Sequence, residues 1–203
     1  MEKIVNDFTI NIATANGTGS QSANLILLNS LFRMGTHVSG KNLFPSNIAG
    51  LPTWYIVRVS DYGYQAPGDD THIQILMNID TWAEDVTELT PGTVVIHNTD
   101  VKAPIDREDL ILYPTPMTTM ARELNPKLAK MVSNMIYVGI MAEMLEIPQK
   151  IVEESISKQF KGKERQLKLI QKHHLWEEIT SRMNLRKMIH TMLKKERRIK
   201  TNS

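Results

Sequence analysis

The chain has 203 residues, with 24 Lys and Arg against 22 Asp and Glu, and it has no cysteine. This length suffices for one well-buried domain with a short appendage, and the lack of cysteine excludes disulfides and thiolate-bound iron–sulfur clusters. The best apolar run, residues 135–142, is ended by Glu143 and is too short to span a membrane. The N-terminus carries Glu2 and Asp7 and lacks an apolar signal core, so we expect a cytoplasmic protein without membrane contact.

The net charge of +2 conceals an uneven distribution along the chain. Residues 1–160 carry 11 basic and 18 acidic side chains, a net charge of −7, whereas residues 161–203 carry 13 and 4, a net charge of +9. This abrupt change predicts a domain over residues 1–160 and a basic tail, helical or poorly ordered, over residues 161–203.

The first pattern along the chain is a strand, a glycine-rich turn and a helix over residues 8–28. Apolar residues alternate up to residue 12, Gly17 and Gly19 follow, and a helix is predicted from Ser22 to a C-cap at Gly35. Such a turn presents backbone N–H groups at the positive end of a helix, where anions bind. The predicted cofactor-binding residues of this turn are Asn16, Gly17, Thr18, Gly19, Ser20 and Gln21.

The remaining pattern alternates strands with helices. Strands are predicted at residues 36–39, 54–60, 72–77, 94–97 and 110–113, and helices at residues 81–89, 118–145 and 149–160, the second interrupted at Pro126. This order predicts an α/β, Rossmann-like three-layer domain with a mostly parallel sheet. Ligands in such folds lie at the carboxyl ends of the strands, where both the glycine-rich turn and a predicted loop over residues 40–52 should emerge.

Several side chains have a plain structural interpretation. Glu84, Asp85 and Asp109 lie in turn or helix-start settings and are predicted to be caps or solubilising charges. The many methionines between residues 117 and 144 fit core packing, and Asn134, facing that core, would need hydrogen-bond partners if it is buried.

The glycine-rich turn first suggests a dinucleotide-binding enzyme. The fingerprint G-x-G-x-x-G is incomplete, because Ser22 replaces its third glycine and residues 38–42 offer no acidic partner for a ribose. A stand-alone nucleotide-binding protein or NAD-dependent dehydrogenase therefore stays an alternative, and a purely structural tight turn in a parallel sheet is the stronger competing interpretation of the motif. No hydrolase or P-loop motif occurs, and none of the six histidines stands at metal-ligand spacing, so no catalytic or metal-binding residue is assigned.

The order of motifs resembles the gamma domain of the 2-oxoacid:ferredoxin oxidoreductases. That family has a G-x-G-G-Q-G turn, which Gly17, Gly19 and Gln21 match while Ser20 and Ser22 depart. Its second loop, P-S-x-I-x-G leading into an I-R-V-S strand, is matched by Pro45, Ser46, Ile48, Gly50, Arg58, Val59 and Ser60. On this resemblance, Ser46, Asn47 and Gly50 complete the predicted cofactor-binding set.

Further features place the resemblance in one branch of the family. Leu51 replaces a second glycine, which is similar to gamma domains fused to the front of the alpha subunit in 2-oxoglutarate enzymes. The segments at residues 91–98, 134–148 and 160–163 also fit, so the resemblance covers about residues 6–165.

The resemblance implies a component of an enzyme that converts a 2-oxoacid, 2-oxoglutarate on the features above, to an acyl-CoA. It implies alpha and beta partner subunits or domains that hold thiamine diphosphate, magnesium and iron–sulfur clusters, with ferredoxin reached through the complex. Coenzyme A is expected at the edge of this domain, and the isolated chain is expected to be inactive. Gly68-Asp69-Asp70 is not the thiamine-binding G-D-G signature.

The basic tail departs from the resemblance. A fused alpha subunit should continue into a pyrimidine-binding domain, so we interpret the tail as a truncated or out-of-frame continuation, with a genuine basic interaction tail as the alternative. Trp176 is its one aromatic residue besides histidines, which disfavours specific nucleic-acid binding.

Overall fold

The structure is a computed structural model that describes residues 7–44, 52–63, 66 and 70–161. Its strands are Asp7–Ala15 (β1), Val38–Leu43 (β2), Pro52–Ser60 (β3), Ile73–Leu76 (β4), Val94–Asn98 (β5) and Ile111–Thr115 (β6). Its α-helices are Ser20–Arg33 (α1), Trp82–Thr87 (α2), Met117–Leu124 (α3), Ala129–Met144 (α4) and Gln149–Gln159 (α5), and a 3-10 turn spans Pro126–Leu128. The predicted tail beyond residue 161 lies outside the described residues.

The six strands form one sheet in the order β2-β3-β1-β4-β5-β6. Strands β1, β4, β5 and β6 pair in parallel, whereas β3 pairs antiparallel with both β1 and β2. Of the six described strands, β3 therefore runs against the other five, and the prediction of a mostly parallel sheet is confirmed. The antiparallel pairing of β2 with β3 was not predicted.

Strand β2 is longer than the sequence predicts. The expected loop from residue 40 begins instead with residues that pair with β3, Gly40 opposite Val57 and Asn42 opposite Tyr55. Glycine and asparagine disfavour strands, but here the pairing overrides propensity. A Cβ atom at Gly40 would clash with the Tyr55 hydroxyl, so the glycine is needed for close packing.

Helices cover the two faces of the sheet unequally. One face packs against α1, α3, α4 and α5, and the other against α2 and apolar side chains of residues 101–112. Helix α4 is the central element, because all its residues from Val132 to Ala142 are buried. The predicted three-layer arrangement is confirmed, and the methionines of α4 pack in the core as expected. No helix within the described residues is long and apolar enough to cross a membrane.

Glycine and proline residues set the boundaries of two helices. Helix α1 begins at Ser20, two residues before the predicted start, because Gly19 adopts a left-handed conformation and its carbonyl accepts the first helical hydrogen bonds, from Ser22 and Ala23. Pro126 interrupts the long predicted helix as expected: α3 ends at Leu124 and α4 begins after the 3-10 turn.

Candidate anion-binding cleft

The two predicted loops meet at one edge of the sheet. Ala15, at the carboxyl end of β1, lies opposite Pro52, where β3 begins, and Leu43 at the end of β2 lies opposite Trp54. The ends of the second loop therefore flank the glycine-rich turn, as predicted. Ser46, Asn47 and Gly50 lie outside the described residues, so their assignment to a cofactor site stays a prediction.

The glycine-rich turn has a compact conformation. Gly17 and Gly19 have φ values of 80° and 85°, which side-chain-bearing residues rarely adopt. The Thr18 hydroxyl donates to the Ala15 carbonyl at 2.8 Å, which closes the turn on itself. Gly19 is the N-cap of α1, and no side chain caps this helix end, so its first N–H groups are open to a ligand.

A cleft of about 720 Å³ opens beside this turn, within the size range of small-molecule sites. Its walls are the turn, the carboxyl ends of β1 and β4, part of α3, and the 3-10 turn with the start of α4. Gly17, Thr18 and Gly19 line it, while Asn16, Ser20 and Gln21 do not. The structure thus brings half of the predicted turn residues onto one cavity, with the other half adjacent in the same loop and helix start.

Three cations line the cleft together with the turn. Arg122 comes from the last turn of α3, Lys127 from the 3-10 turn and Lys130 from the first turn of α4, and all three are exposed. The ion pairs found among the described residues involve none of them, and none of the described lining residues is acidic. With the open N-terminus of α1, this arrangement favours a ligand that carries phosphate groups.

Two buried hydroxyl groups line the same cleft without a hydrogen-bond partner. Thr14 is 1% exposed and Ser133 is 6% exposed, and the side-chain oxygen of each lacks a partner in the structure. Both oxygen atoms are fully buried, so these two residues close the wall of the cleft rather than present a hydroxyl to its open space.

The position of α3 is set by two side chains at the end of β5. Asn98 accepts from the Met117 N–H at 3.0 Å and donates to the Thr118 hydroxyl at 2.9 Å. Asp100 accepts from the Thr119 N–H and hydroxyl at 2.8 and 2.7 Å. These contacts satisfy open N–H groups at the start of α3 and thereby fix the helix that carries Arg122.

Asn134 connects α4 to the glycine-rich turn. Its side-chain amide donates to the Thr18 carbonyl at 2.9 Å and to the Lys130 carbonyl at 3.1 Å, and the residue is 3% exposed. The sequence predicted that a buried Asn134 would need partners, and this prediction is confirmed. The sequence did not show that the main partner would be the predicted ligand-binding turn.

Asp85 is a buried carboxylate near the same sheet edge, and its prediction as a cap or solubilising charge is wrong. It accepts from the Trp54 indole N–H at 2.8 Å and from the Thr81 hydroxyl at 2.6 Å, and so joins α2 to the start of β3. Burial raises the pKa of the Asp85 carboxyl, an effect that the hydrogen bonds from Thr81 and Trp54 oppose. Asp109, in contrast, lies at the surface and pairs with Arg107 at 2.6 Å.

Sequence reasoning did not identify the three cations of the cleft. Lys130 gives a weak signal, because it lies in the first turn of α4, where the helix dipole disfavours positive charge. Lys127 lies in the last turn of the 3-10 segment, where a cation is ordinary. Arg122 gives no comparable signal, since a cation in the last turn of a helix is ordinary.

The fold and the cleft define a class of protein: an α/β domain in which a glycine-rich turn and three cations line one cleft at the carboxyl edge of a sheet. Residues 9–173 match the family described as pyruvate ferredoxin/flavodoxin oxidoreductase, and the chain belongs to this family. No curated protein matches the chain by sequence.

Solved structures that share the fold include three oxidoreductase chains. The 2-oxoglutarate:ferredoxin oxidoreductase of Magnetococcus marinus, solved with 2-oxoglutarate, coenzyme A and succinyl-CoA, has a TM-score of 0.76 at 23% identity over 91% of this chain. The keto/oxoacid ferredoxin oxidoreductase gamma subunit of Geobacter sulfurreducens has a TM-score of 0.67 at 15% identity, over 86% of this chain and 99% of that subunit. The pyruvate oxidoreductase subunit PORC of Thermotoga maritima has a TM-score of 0.63 at 16% identity, over 88% of this chain and 95% of that subunit.

The match covers very different shares of these three neighbours. The match spans 32% of the Magnetococcus marinus chain but nearly all of the two separate subunits. The fold of this chain therefore occurs both as one part of a longer polypeptide and as a subunit of its own.

Proposed function

We propose that this chain is the gamma-type component of a thiamine-diphosphate-dependent 2-oxoacid:ferredoxin oxidoreductase, with 2-oxoglutarate as its substrate. Family membership supports this function, and the Magnetococcus marinus neighbour supports the choice of substrate. The chain has no cysteine, so it does not fit an iron–sulfur cluster, and we assign the clusters, thiamine diphosphate and magnesium to alpha and beta partners. Ferredoxin would then receive electrons from those partners.

We further propose that the cleft takes the phosphate groups of coenzyme A. The observation that carries this assignment is a single cavity lined by the turn that leads into α1 and by Arg122, Lys127 and Lys130, which form no ion pair among the described residues. Coenzyme A carries a diphosphate and a 3′-phosphate, which match a basic wall better than a neutral ligand would. The chain would bind and orient this substrate, while bond formation takes place on the partners.

Reconstitution with the alpha and beta components tests both proposals in one experiment. The complex should reduce a viologen dye in the presence of 2-oxoglutarate and coenzyme A, and this chain alone should not. The double variant Lys127→Ala/Lys130→Ala should raise KM for coenzyme A about tenfold or more and leave kcat nearly unchanged, because it removes charge contacts to the bound substrate.

Lys150→Ala is the matched control, since it removes an exposed cation that does not line the cleft. Equal effects of the control and the double variant would contradict the assignment of the cleft. A reconstituted complex that shows no 2-oxoacid-dependent activity would contradict the proposed function itself.

A further inference from the structure

The contact between Asn134 and the glycine-rich turn is long-range in sequence and partly buried. Thr18 and Asn134 are 116 residues apart, and the side-chain amide of Asn134 donates to the Thr18 carbonyl and to the Lys130 carbonyl of its own helix, with the Thr18 hydroxyl at 3.4 Å as a weaker partner. The second bond holds the side chain in place, so the first bond is made by a group of fixed position. Helix α4 thereby provides a rigid support for the turn.

The turn needs such a support because its own residues do not define one conformation. Gly17 and Gly19 both have positive φ, and glycine has more backbone conformations available than any other residue. The hydrogen bond from the Thr18 hydroxyl to the Ala15 carbonyl closes the turn, but it engages the Thr18 side chain and not the Thr18 carbonyl. The bond from Asn134 engages that carbonyl and thereby fixes its direction.

The direction of this carbonyl matters for ligand binding. The Thr18 carbonyl and the Gly19 N–H belong to one planar peptide group and point in opposite directions. Asn134 therefore also fixes the direction of the Gly19 N–H, which is one of the donors that an anion at the uncapped start of α1 would use.

We propose that Asn134 is a positioning residue that holds the glycine-rich turn in its anion-binding conformation. The inference that this ligand is coenzyme A rests on the proposed function, whereas the support of the turn by Asn134 does not. The residue acts through the backbone of the turn.

A purely structural role is the competing explanation, and the chain offers a matched control for it. Tyr137 lies one turn further along α4, is fully buried, and donates to Asn24 of α1 at 2.7 Å. This bond also joins α4 to α1, but Asn24 lies outside the turn. The variants Asn134→Ala and Tyr137→Phe should therefore lower the melting temperature of the full chain by similar amounts.

Hydrogen exchange and calorimetry on the full chain separate the two explanations. In Asn134→Ala, the amides of residues 16–22 should exchange about tenfold faster, and Kd for coenzyme A should rise about tenfold. In Tyr137→Phe, both quantities should stay within about twofold of the wild type. Unchanged exchange in Asn134→Ala, or equal effects of the two variants, would overturn the proposal.

The variant Asn134→Asp adds a pH-dependent readout, which is read together with the exchange of residues 16–22 in the absence of ligand because Asn134 itself lines the cleft. At neutral pH its carboxylate would face two carbonyl oxygens, but once protonated it can donate a hydrogen bond to the Thr18 carbonyl. The ratio of its Kd for coenzyme A to that of the wild type, measured at each pH, should fall towards one from pH 8 to pH 5. A ratio that does not change with pH would count against the proposal. If the wild type does not bind coenzyme A, the proposed ligand is wrong, and the exchange data still decide the role of Asn134.

Discussion

At the scale of single residues, the main determinants of this protein are polar side chains that tertiary contacts bury. Asn134 and Asp85 look alike from the sequence, as polar residues of helices, but each connects a helix to the carboxyl edge of the sheet. Asn98 does the same for the start of α3. Each of these side chains satisfies a backbone or side-chain group that would otherwise be buried without a partner.

The raised pKa of Asp85 leads to a prediction about stability and pH. Because burial favours its protonated form in the folded state, the stability that Asp85 contributes is fully present below the pKa of the unfolded chain, about 3.9. This contribution is lost as the pH rises through the higher pKa of the folded state. The free energy of unfolding of the wild type, relative to Asp85→Asn, should therefore fall as the pH rises from about 4.

Chemical denaturation of both proteins between pH 3.5 and pH 7 measures this difference. Asp109→Asn is a suitable control, because its carboxylate is exposed and has a pKa lowered by the hydrogen bond from Arg107. Relative to Asp109→Asn, the wild type should lose stability as the pH falls. This pH dependence has the opposite sign to that expected relative to Asp85→Asn. If the free energy of unfolding relative to each variant changed with pH in the same direction, the raised pKa of Asp85 would be contradicted.

At the scale of elements, β2 shows how pairing can override local preference. Its residues Gly40 and Asn42 are poor strand formers, yet the strand forms because β3 offers a complete set of partners. Strand β2 also requires a glycine at position 40, because the Tyr55 hydroxyl occupies the space that a Cβ atom would need.

Replacing this glycine should therefore destabilise the sheet. We expect Gly40→Ala to lower the free energy of unfolding by about 1–3 kcal/mol, because the added methyl group overpacks the contact with Tyr55. The cost should be smaller in a Tyr55→Phe background, which removes the nearest atom. Thermal or denaturant unfolding of the wild type, the two single variants and the double variant measures these changes in the free energy of unfolding. The exposed Lys41→Ala variant is the control. Additive effects would show that the clash is not with the Tyr55 hydroxyl.

At the scale of the whole molecule, the described core closes on itself. Phe160, just past the end of α5, is 3% exposed and packs into the main hydrophobic cluster. The described residues of this cluster lie between residues 8 and 160, and they fill both sides of the interface between the sheet and helices α1, α4 and α5.

Deleting residues 164–203 should accordingly leave the domain folded and at least as soluble as the full chain. The circular dichroism spectrum and the melting temperature of the two proteins should agree within a few degrees. The full chain alone should bind nucleic acid without sequence preference, and this binding should weaken steeply with salt. A melting temperature lower by many degrees, or loss of an affinity that persists at physiological salt, would show that the tail belongs to the working protein.

The sequence by itself determined the layers, the order of most elements, and the glycine-rich turn at the start of the first helix. These features follow from periodicity, from glycine and proline at element ends, and from motifs in register, all of which are local in the chain. The tertiary structure decided the antiparallel pairing of β2, the burial of Asp85 and the placement of Arg122, Lys127 and Lys130 in the same cleft as the turn. These depend on contacts between residues far apart in sequence, which a periodic pattern does not encode. The physical reason is that a side chain's role follows from what lies across the interface from it, and only packing brings the Thr18 carbonyl to Asn134.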